Sequence, residues 1–419
     1  MSGFDDALRL NAALEREAPA LFRALSTLGR RAFFQPGSLG TTGAVRLPSK
    51  VLDAFRLPEG DLEALSVSPV EGRVEGNTEL RRLWRVWQRR GVDPALPSSL
   101  PLVTVGISHG LSLAADLFGG EGKAVAVPQP YWGNYRQAFA VRTGSRVLTA
   151  PGYVDGYYNV RAISEALSGL PDGEPAVALL NLPSNPGGYS LTSEERAAVR
   201  ACLVEVAERR PLVVVCDDAY AGFVYEPDVP RASLFWDLIG SHSNLVPVKV
   251  DGATKELSFF GGRVGFLTFG LEPESDAARA MESKVKMLVR SGVGSPLAPS
   301  QVVLLQALRN ERIGDEVERV RLLLEGRYRA LKDALAEADP GLLTVLPFNS
   351  GCFALVELPE ALGLTSEQIR LHLLEHHETG LISLEPRYLR IAHCSVDAGA
   401  LPELARRVEL GVRELTAGS

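Results

Sequence analysis

The sequence of 419 residues is short of several features that would direct its reading elsewhere. It has four cysteines, Cys202, Cys216, Cys352 and Cys394, and no two of them are close. Such scatter supports neither a disulfide framework nor a cysteine-based zinc site. No apolar run approaches the ~20 residues that span a bilayer. The opening Met1-Ser2-Gly3-Phe4-Asp5-Asp6 is acidic and has no signal-peptide core. An excess of positive charge is missing as well: 44 Lys and Arg stand against 51 Asp and Glu, a formal net charge of −7. That balance argues against nucleic acid as the main partner. With no low-complexity tract, the expectation is a cytoplasmic protein with no membrane partner.

What is present is the composition of an ordinary globular protein, 46% hydrophobic and 23% charged. The length exceeds what one compact core usually holds, so two packed domains are expected. From about residue 100, short Val- and Leu-rich runs alternate with longer helical ones. Leu102–Gly106, Lys123–Val127, Ala176–Leu182 and Pro211–Cys216 read as buried strands. Ser108–Phe118 and Thr192–Arg210 read as helices, the second opened by Thr192 and Glu195 at capping-box spacing. This alternation builds an α/β fold with a parallel sheet covered on both faces. Leu245–Val250 and Val264–Phe269 have no long helical pattern between them, so part of the sheet is expected to be antiparallel. After about residue 315 a long helical pattern leads to Leu343–Leu346 and Cys352–Leu358. A helix capped by Thr365 and Gln368 follows, then a strand near Arg387–His393 and a final helix. This stretch reads as a smaller α+β domain. The expected division is 61–315 for the large domain, with 1–60 and 316–419 together forming the small one.

Four segments carry polar residues where folding alone would not place them. Asn181-Leu-Pro-Ser-Asn185-Pro-Gly-Gly188 follows an apolar strand, and by itself is also ordinary turn chemistry. Val213-Val-Val-Cys-Asp217-Asp218-Ala-Tyr220 ends a buried strand in two carboxylates, at the strand end where open α/β sheets bind ligands. Lys249-Val-Asp-Gly-Ala-Thr254-Lys255 precedes Gly261-Gly-Arg263-Val-Gly265. Tyr388-Leu-Arg390-Ile-Ala-His393 puts an Arg inside an apolar strand, where a guanidinium must be paired or reserved for a ligand. Its plainer reading is an interdomain ion pair.

In their order and spacing these four segments resemble the class I/II aminotransferase family of fold-type I pyridoxal-phosphate (PLP) enzymes, over nearly the whole chain. The resemblance rests on Asn185-Pro-Gly-Gly188, Asp217-Asp-Ala-Tyr220, Thr254-Lys255 with Arg263, and the late Arg390. It implies a mostly parallel, seven-stranded sheet flanked by helices, and a homodimer. It also implies an aminotransferase that moves an amino group between an L-amino acid and a 2-oxo acid. Lyases, decarboxylases and PLP-sensing regulators share the scaffold; the regulators carry an added N-terminal winged-helix module, for which the pattern here begins too early.

By the same resemblance, Lys255 carries the cofactor and moves the substrate proton, Asp217 faces the pyridine nitrogen, and Asn185 and Tyr220 reach the ring's phenolic oxygen. Thr254 and Arg263 hold the phosphate, together with the strand-to-helix turn at Gly106, Ile107 and Ser108, whose free amides suit an anion. Trp132 stacks on the ring, with Tyr131 the fallback, and Arg390 clamps the substrate α-carboxylate, with Asn185 and Trp132 beside the substrate. Arg290, in Arg290-Ser-Gly-Val-Gly-Ser295-Pro296, aligns with a segment that sends an Arg to the partner's site to pair with a side-chain carboxylate. Its plainer reading is an Arg suited to a helix end.

The resemblance also has departures. Gly252 stands where many members have a phosphate-binding Ser. Glu71 occupies the expected place of a Tyr that reaches the neighbouring subunit's phosphate, and the loop Gly37–Gly43 departs from the pattern. Two louder features are read plainly. Arg81 to Arg90 is taken as a solvated or subunit-facing helix side opposite the stripe Leu80, Leu83, Trp84 and Trp87. His372, His376 and His377, lacking the carboxylate pattern of a known zinc site, are taken as an exposed helix face, so no metal is expected.

Overall fold

A computed structural model describes residues 74–417. Glu71, the loop 37–43 and the segment 1–60 lie outside the described residues. The chain enters through helix α1 (Thr78–Gln88), whose Asn77 side chain accepts from the Leu80 amide. Its Leu80, Trp84 and Trp87 are buried against β1 (Leu102–Val105) and β9 (Val264–Phe269). Three Arg residues of this helix and its C-terminal end differ in part from expectation, while Arg82 stays exposed. Arg81 is buried and pairs with Glu282, Arg90 pairs with Glu256, and Arg89 donates to the carbonyls of Pro94 and Leu96. The helix is wrapped by later segments, so these guanidiniums close contacts within the chain.

The main sheet has seven strands. Besides the two already named it contains β2 (Ala124–Gln129), β3 (Arg146–Pro151), β6 (Ala176–Asn181), β7 (Leu212–Asp217) and β8 (Leu245–Gly252), in the order β1-β9-β8-β7-β6-β2-β3. A small hairpin, β4 (Tyr153–Val154) with β5 (Tyr157–Tyr158), stands apart. Pairing is parallel from β8 to β3, and β9 runs antiparallel to both neighbours. Because successive side chains on a strand face opposite ways, one strand feeds two cores. Ala124, Ala126, Leu212 and Val214 join Val199 and Leu203 on one face. Val125, Val127, Val215 and Val248 pack with Leu111, Ala114, Val285 and Val289 on the other.

Helices α2 (Gly106–Phe118) and α7 (Asp276–Gly292) cover that second face. Helix α4 (Ser193–Arg209) covers the first, after the short α3 (Ala162–Ala166). Both hydrogen bonds of the capping box at Thr192 and Glu195 are present. The short α5 (Phe235–Leu238) precedes β8, and α6 (Ala253–Glu256) follows it directly; α8 spans Ala298–Arg309.

The C-terminal region forms a four-stranded antiparallel sheet in the order β10-β11-β13-β12, from Thr344–Val345, Ala354–Glu357, Tyr388–Ile391 and Ile382–Leu384. Helices α9 (Ile313–Ala336), α10 (Ser366–His377) and α11 (Leu401–Ala417) pack on it through Leu324, Tyr328, Leu331, Ile369, Leu373, Val408 and Val412. The capping box at Thr365 and Gln368 is formed as well. Among the described residues no helix is long and apolar enough to cross a membrane.

Candidate active site

Most of the parallel strands deliver a polar residue at or just beyond their carboxyl ends. Asn181 ends β6, Asp217 ends β7, and β8 runs directly into the turn that holds Thr254 and Lys255. A cleft of about 280 Å³ opens there, near the lower end of the range for ligand sites. Among its lining residues are Ile107, Ser108, Trp132, Asn185, Asp217, Tyr220, Thr254, Lys255, Arg263 and Arg390. Segments from residue 107 to residue 390 are thus gathered at one sheet rim.

Asp217 is nearly inaccessible, and burial pushes its carboxyl up to about 6. Two donors resist that push: the Tyr135 hydroxyl at 2.6 Å and the Ala219 amide at 3.1 Å. Asp218 takes the other side of the strand. It pairs with the buried Lys249, which also meets Asp251 at 3.2 Å, and Trp84 Nε1 donates to Asp251 at 3.0 Å. Lys249 is therefore held by two carboxylates away from the cleft. Lys255 is half-buried, with its Nζ 6.0 Å from the Tyr220 ring centre and 4.9 Å from that of Phe260.

Three glycines shape one end of the cleft. Gly106 has φ +75°, a conformation side chains rarely adopt, and a Cβ there would sit 2.5 Å from Arg263 Nη2. Strand β9 crosses close behind, so that a Cβ on Gly265 would lie 2.8 Å from the Ile107 nitrogen. Gly252 faces the same crossing, and a Cβ on it would come within 2.7 Å of both Gly265 Cα and the Val264 carbonyl. A serine cannot fit at 252, which gives the departure from the family pattern a steric cause. No side chain caps the start of α2, and the buried Thr254 Oγ1 has no hydrogen-bond partner. Arg263, at φ +53°, donates to the Phe260 carbonyl and directs its guanidinium toward Gly106. An uncapped helix start, a free hydroxyl and a guanidinium together make an anion cradle.

At the opposite end, Arg390 on β13 donates to Asn185 Oδ1 at 2.9 Å and lies over the Phe353 ring at 4.4 Å. Its Nε is buried without a partner, and burial lowers its pKa. The Asn185 amide in turn donates to Asn181 Oδ1 at 2.6 Å, while Asn181 Nδ2 donates to the Asp217 carbonyl. Trp132 meets Tyr135 edge-on at 5.6 Å. Tyr131 stacks on Tyr135 but does not line the cleft. Arg290 is exposed in the last turn of α7, outside the cleft of its own chain.

Sequence reasoning passed over Tyr135, Asn181, Phe260 and Phe353. Tyr135 and Asn181 stand inside the very segments singled out, three residues after Trp132 and four before Asn185, so spacing alone could have raised them. Phe353 sits in an apolar run and gave no signal.

The residues present fit a phosphorylated pyridine cofactor. The cradle suits an anion at one end, a buried carboxyl with raised pKa suits a ring cation, and Lys255 supplies an amine on the lining of the same cleft.

Comparison with known proteins agrees with this geometry. Residues 62–408 match the family described as "Aminotransferase class I and II". Aspartate aminotransferase of Bacillus sp. (strain YM-2) is 25% identical over 257 residues, 61% of this chain and 59% of the relative. 2-Aminoadipate transaminase of Thermus thermophilus is 27% identical over 402 residues, 91% of this chain and 92% of the relative. The crystal structure of alpha-aminoadipate aminotransferase from Thermus thermophilus, complexed with N-(5'-phosphopyridoxyl)-L-leucine, superposes with a TM-score of 0.69. It is 24% identical and covers 90% of this chain and 93% of that one. The chain spans 57% to 63% of the length of three of the curated relatives it matches. With a family match across most of the sequence and the fold to go with it, the chain belongs to the class I and II aminotransferases.

Proposed function

We propose that the protein is a PLP-dependent aminotransferase moving an amino group between an L-amino acid and a 2-oxo acid. The observation that carries this reading is the convergence of Lys255, Asp217, Arg390 and the Gly106–Arg263–Thr254 anion cradle in a single cleft. When bound, the cofactor supplies an electron sink for the substrate Cα.

The chain's own residues do the rest. Lys255 would form the covalent attachment to the cofactor and take up the proton released from the substrate Cα. Asp217 holds a proton on the pyridine nitrogen; a cation there would favour its ionised form over the neutral one that burial favours. Tyr220 and Asn185 would serve the phenolic oxygen. Ser108, Thr254, Arg263 and the amides at Gly106 and Ile107 would hold the phosphate. Trp132 would lie against the ring. Arg390 takes the substrate α-carboxylate, for which its unpartnered Nε and the planar guanidinium offer two-point contact.

This reading also takes the protein as a cytoplasmic homodimer, divided at about residue 315 into a large domain (61–315) and a small one (1–60 with 316–419). Arg290 would reach the partner's cleft and pair with a side-chain carboxylate, favouring dicarboxylic substrates. Aspartate and 2-aminoadipate, the substrates in the names of two relatives, are both dicarboxylic.

The test is an absorbance titration of the purified protein with individual amino acids, followed by product analysis. A 2-oxo acid without ammonia supports transamination. Ammonia together with the oxo acid indicates a lyase, carbon dioxide a decarboxylase, and spectral change without turnover a sensing protein. Aspartate compared with leucine and phenylalanine, in wild type and Arg290→Ala, isolates the dicarboxylic element; equal loss on all three removes it.

A further inference from the structure

Helices α10 and α11 pack closely because α11 carries Gly411 at their contact. A Cβ there would lie 2.7 Å from Leu373 Cδ2 and 3.6 Å from the His372 ring. One turn further along α11, on the same face, Glu414 reaches back across the seam. His372 Nε2 lies 2.7 Å and His377 Nε2 2.8 Å from the same oxygen, Glu414 Oε2. The two imidazoles are not an open helix face: their side chains are 17% and 13% exposed. His377 is fixed from behind, since its carbonyl accepts from Arg407 Nη1 at 2.7 Å and from Thr379 Oγ1 at 2.8 Å. Helix α10 ends immediately after it in a left-handed Glu378, so His377 stands in the last helical turn.

The three donor atoms lie within 4.8 Å of one another. A metal bonded at about 2 Å to each in a tetrahedral site would hold them about 3.3 Å apart, so the carboxylate oxygen would draw back slightly from the 2.7 and 2.8 Å it keeps to the two imidazoles. Each neutral imidazole would shift its proton from Nε2 to Nδ1 and turn a lone pair inward. The carboxylate would then exchange two hydrogen bonds for one metal bond.

We infer that His372, His377 and Glu414 form a site for a divalent transition metal of the zinc class, clamping α10 to α11. Two imidazoles and one carboxylate suit Zn²⁺ or Ni²⁺ and suit Mg²⁺ poorly. Three protein ligands leave a fourth position for water. The site shares no residue with the cleft and does not depend on the reaction assigned there. The sequence concealed it because the carboxylate comes 37 residues after His377, on another helix.

The experiment is calorimetric titration of untagged, full-length holoenzyme with Zn²⁺, alongside melting curves with and without the metal. Mg²⁺ serves as the control ion. Wild type should bind one Zn²⁺ per chain and melt higher with it. His377→Ala and Glu414→Gln should each lose at least about tenfold in affinity and lose the Zn²⁺-dependent rise in Tm. Both should keep wild-type circular dichroism and metal-free activity. His376→Ala should bind as wild type does, since His376 is exposed and lies beside the His372 ring rather than on Glu414. No Zn²⁺ binding by wild type, equal binding by both variants, or loss confined to His376→Ala would each overturn the assignment.

Discussion

The Tyr135 hydroxyl donates to Asp217 Oδ2 at 2.6 Å across 82 residues of sequence. Both groups are almost fully buried. The phenol's pKa is raised chiefly by burial and further by the carboxylate beside it, so it stays a donor at any working pH. Its task is to keep Asp217 chargeable in surroundings that favour the neutral acid. Replacing Tyr135 with Phe removes that help, and the Asp217 pKa should rise further. The acid limb of the kcat/KM profile should move up by about one pH unit, the equivalent of ~1.4 kcal/mol. A limb that stays in place would show that Asp217 does not set it.

The two adjacent carboxylates should separate by phenotype. Asp217→Asn should reduce turnover by about 100-fold or more while leaving unfolding nearly unchanged. Asp218→Asn should do the reverse, because it weakens the buried pair with Lys249 and costs about 1.5–3 kcal/mol of stability. Steady-state kinetics and urea unfolding on both variants check this. The opposite ranking would mean that the side chains at the end of β7 have been assigned to the wrong faces.

Lys255→Ala should fold and lose covalent retention of the cofactor. Borohydride treatment of wild type followed by peptide mapping should place the label on Lys255; a label on Lys249 would refute the assignment, and the two-carboxylate grip on Lys249 explains why none is expected.

Arg390→Lys keeps the charge and discards the planar fork. An ammonium cannot reproduce two-point contact with a carboxylate, so kcat/KM should fall about tenfold or more, mainly through KM. An unchanged KM would place the α-carboxylate elsewhere.

Glu256, next to Lys255 in the chain, is predicted to make stability depend on pH. Burial pushes its carboxyl up to about 7, against the pull of Arg90 and the Trp87 donor. A raised folded-state pKa means that its contribution is full below the unfolded value of about 4.5 and is lost as pH rises through about 7. Glu256→Gln cannot ionise, so its stability relative to wild type should improve between pH 4.5 and 7.5. Urea unfolding of the two proteins across that range tests the sign. A constant difference would mean that Glu256 has an ordinary pKa.

Much of this was legible because hydrophobic burial writes itself into sequence. Ala176–Asn181 and Leu212–Asp217 are apolar on both faces, and their runs predicted them within a residue at each end. Strand β3 went unread because it is an edge strand, half exposed, whose short apolar stretch is bounded by Arg146 and Pro151 and broken by Thr149. Strand β12, three residues long and half-exposed, hid for the same reason. At the cleft, motif spacing indicated residues whose chemistry is unusual for a strand end. It could not indicate Phe353, since a wall of a cavity looks like core until the cavity is seen. The Arg-rich face of α1 misled because its acceptors, the carbonyls of Pro94 and Leu96 and the carboxylates of Glu256 and Glu282, come from loops and helices that helical periodicity does not report.

The direction of β9 has a consequence for where charge is delivered. Every parallel strand can offer a ligand only what lies at or beyond its last residue, while what lies before its first residue goes to the far rim, about 20 Å away for a six-residue strand. By turning back against β8, with Gly252 opposite Gly265, the chain brings the residue before a strand, Arg263, to the rim where Lys255 has just been left. One reversal lets a single connection of eleven residues bring both an amine and a guanidinium to the cleft. An insertion or deletion between Gly252 and Val264 would break the supply of both at once, without touching the sheet.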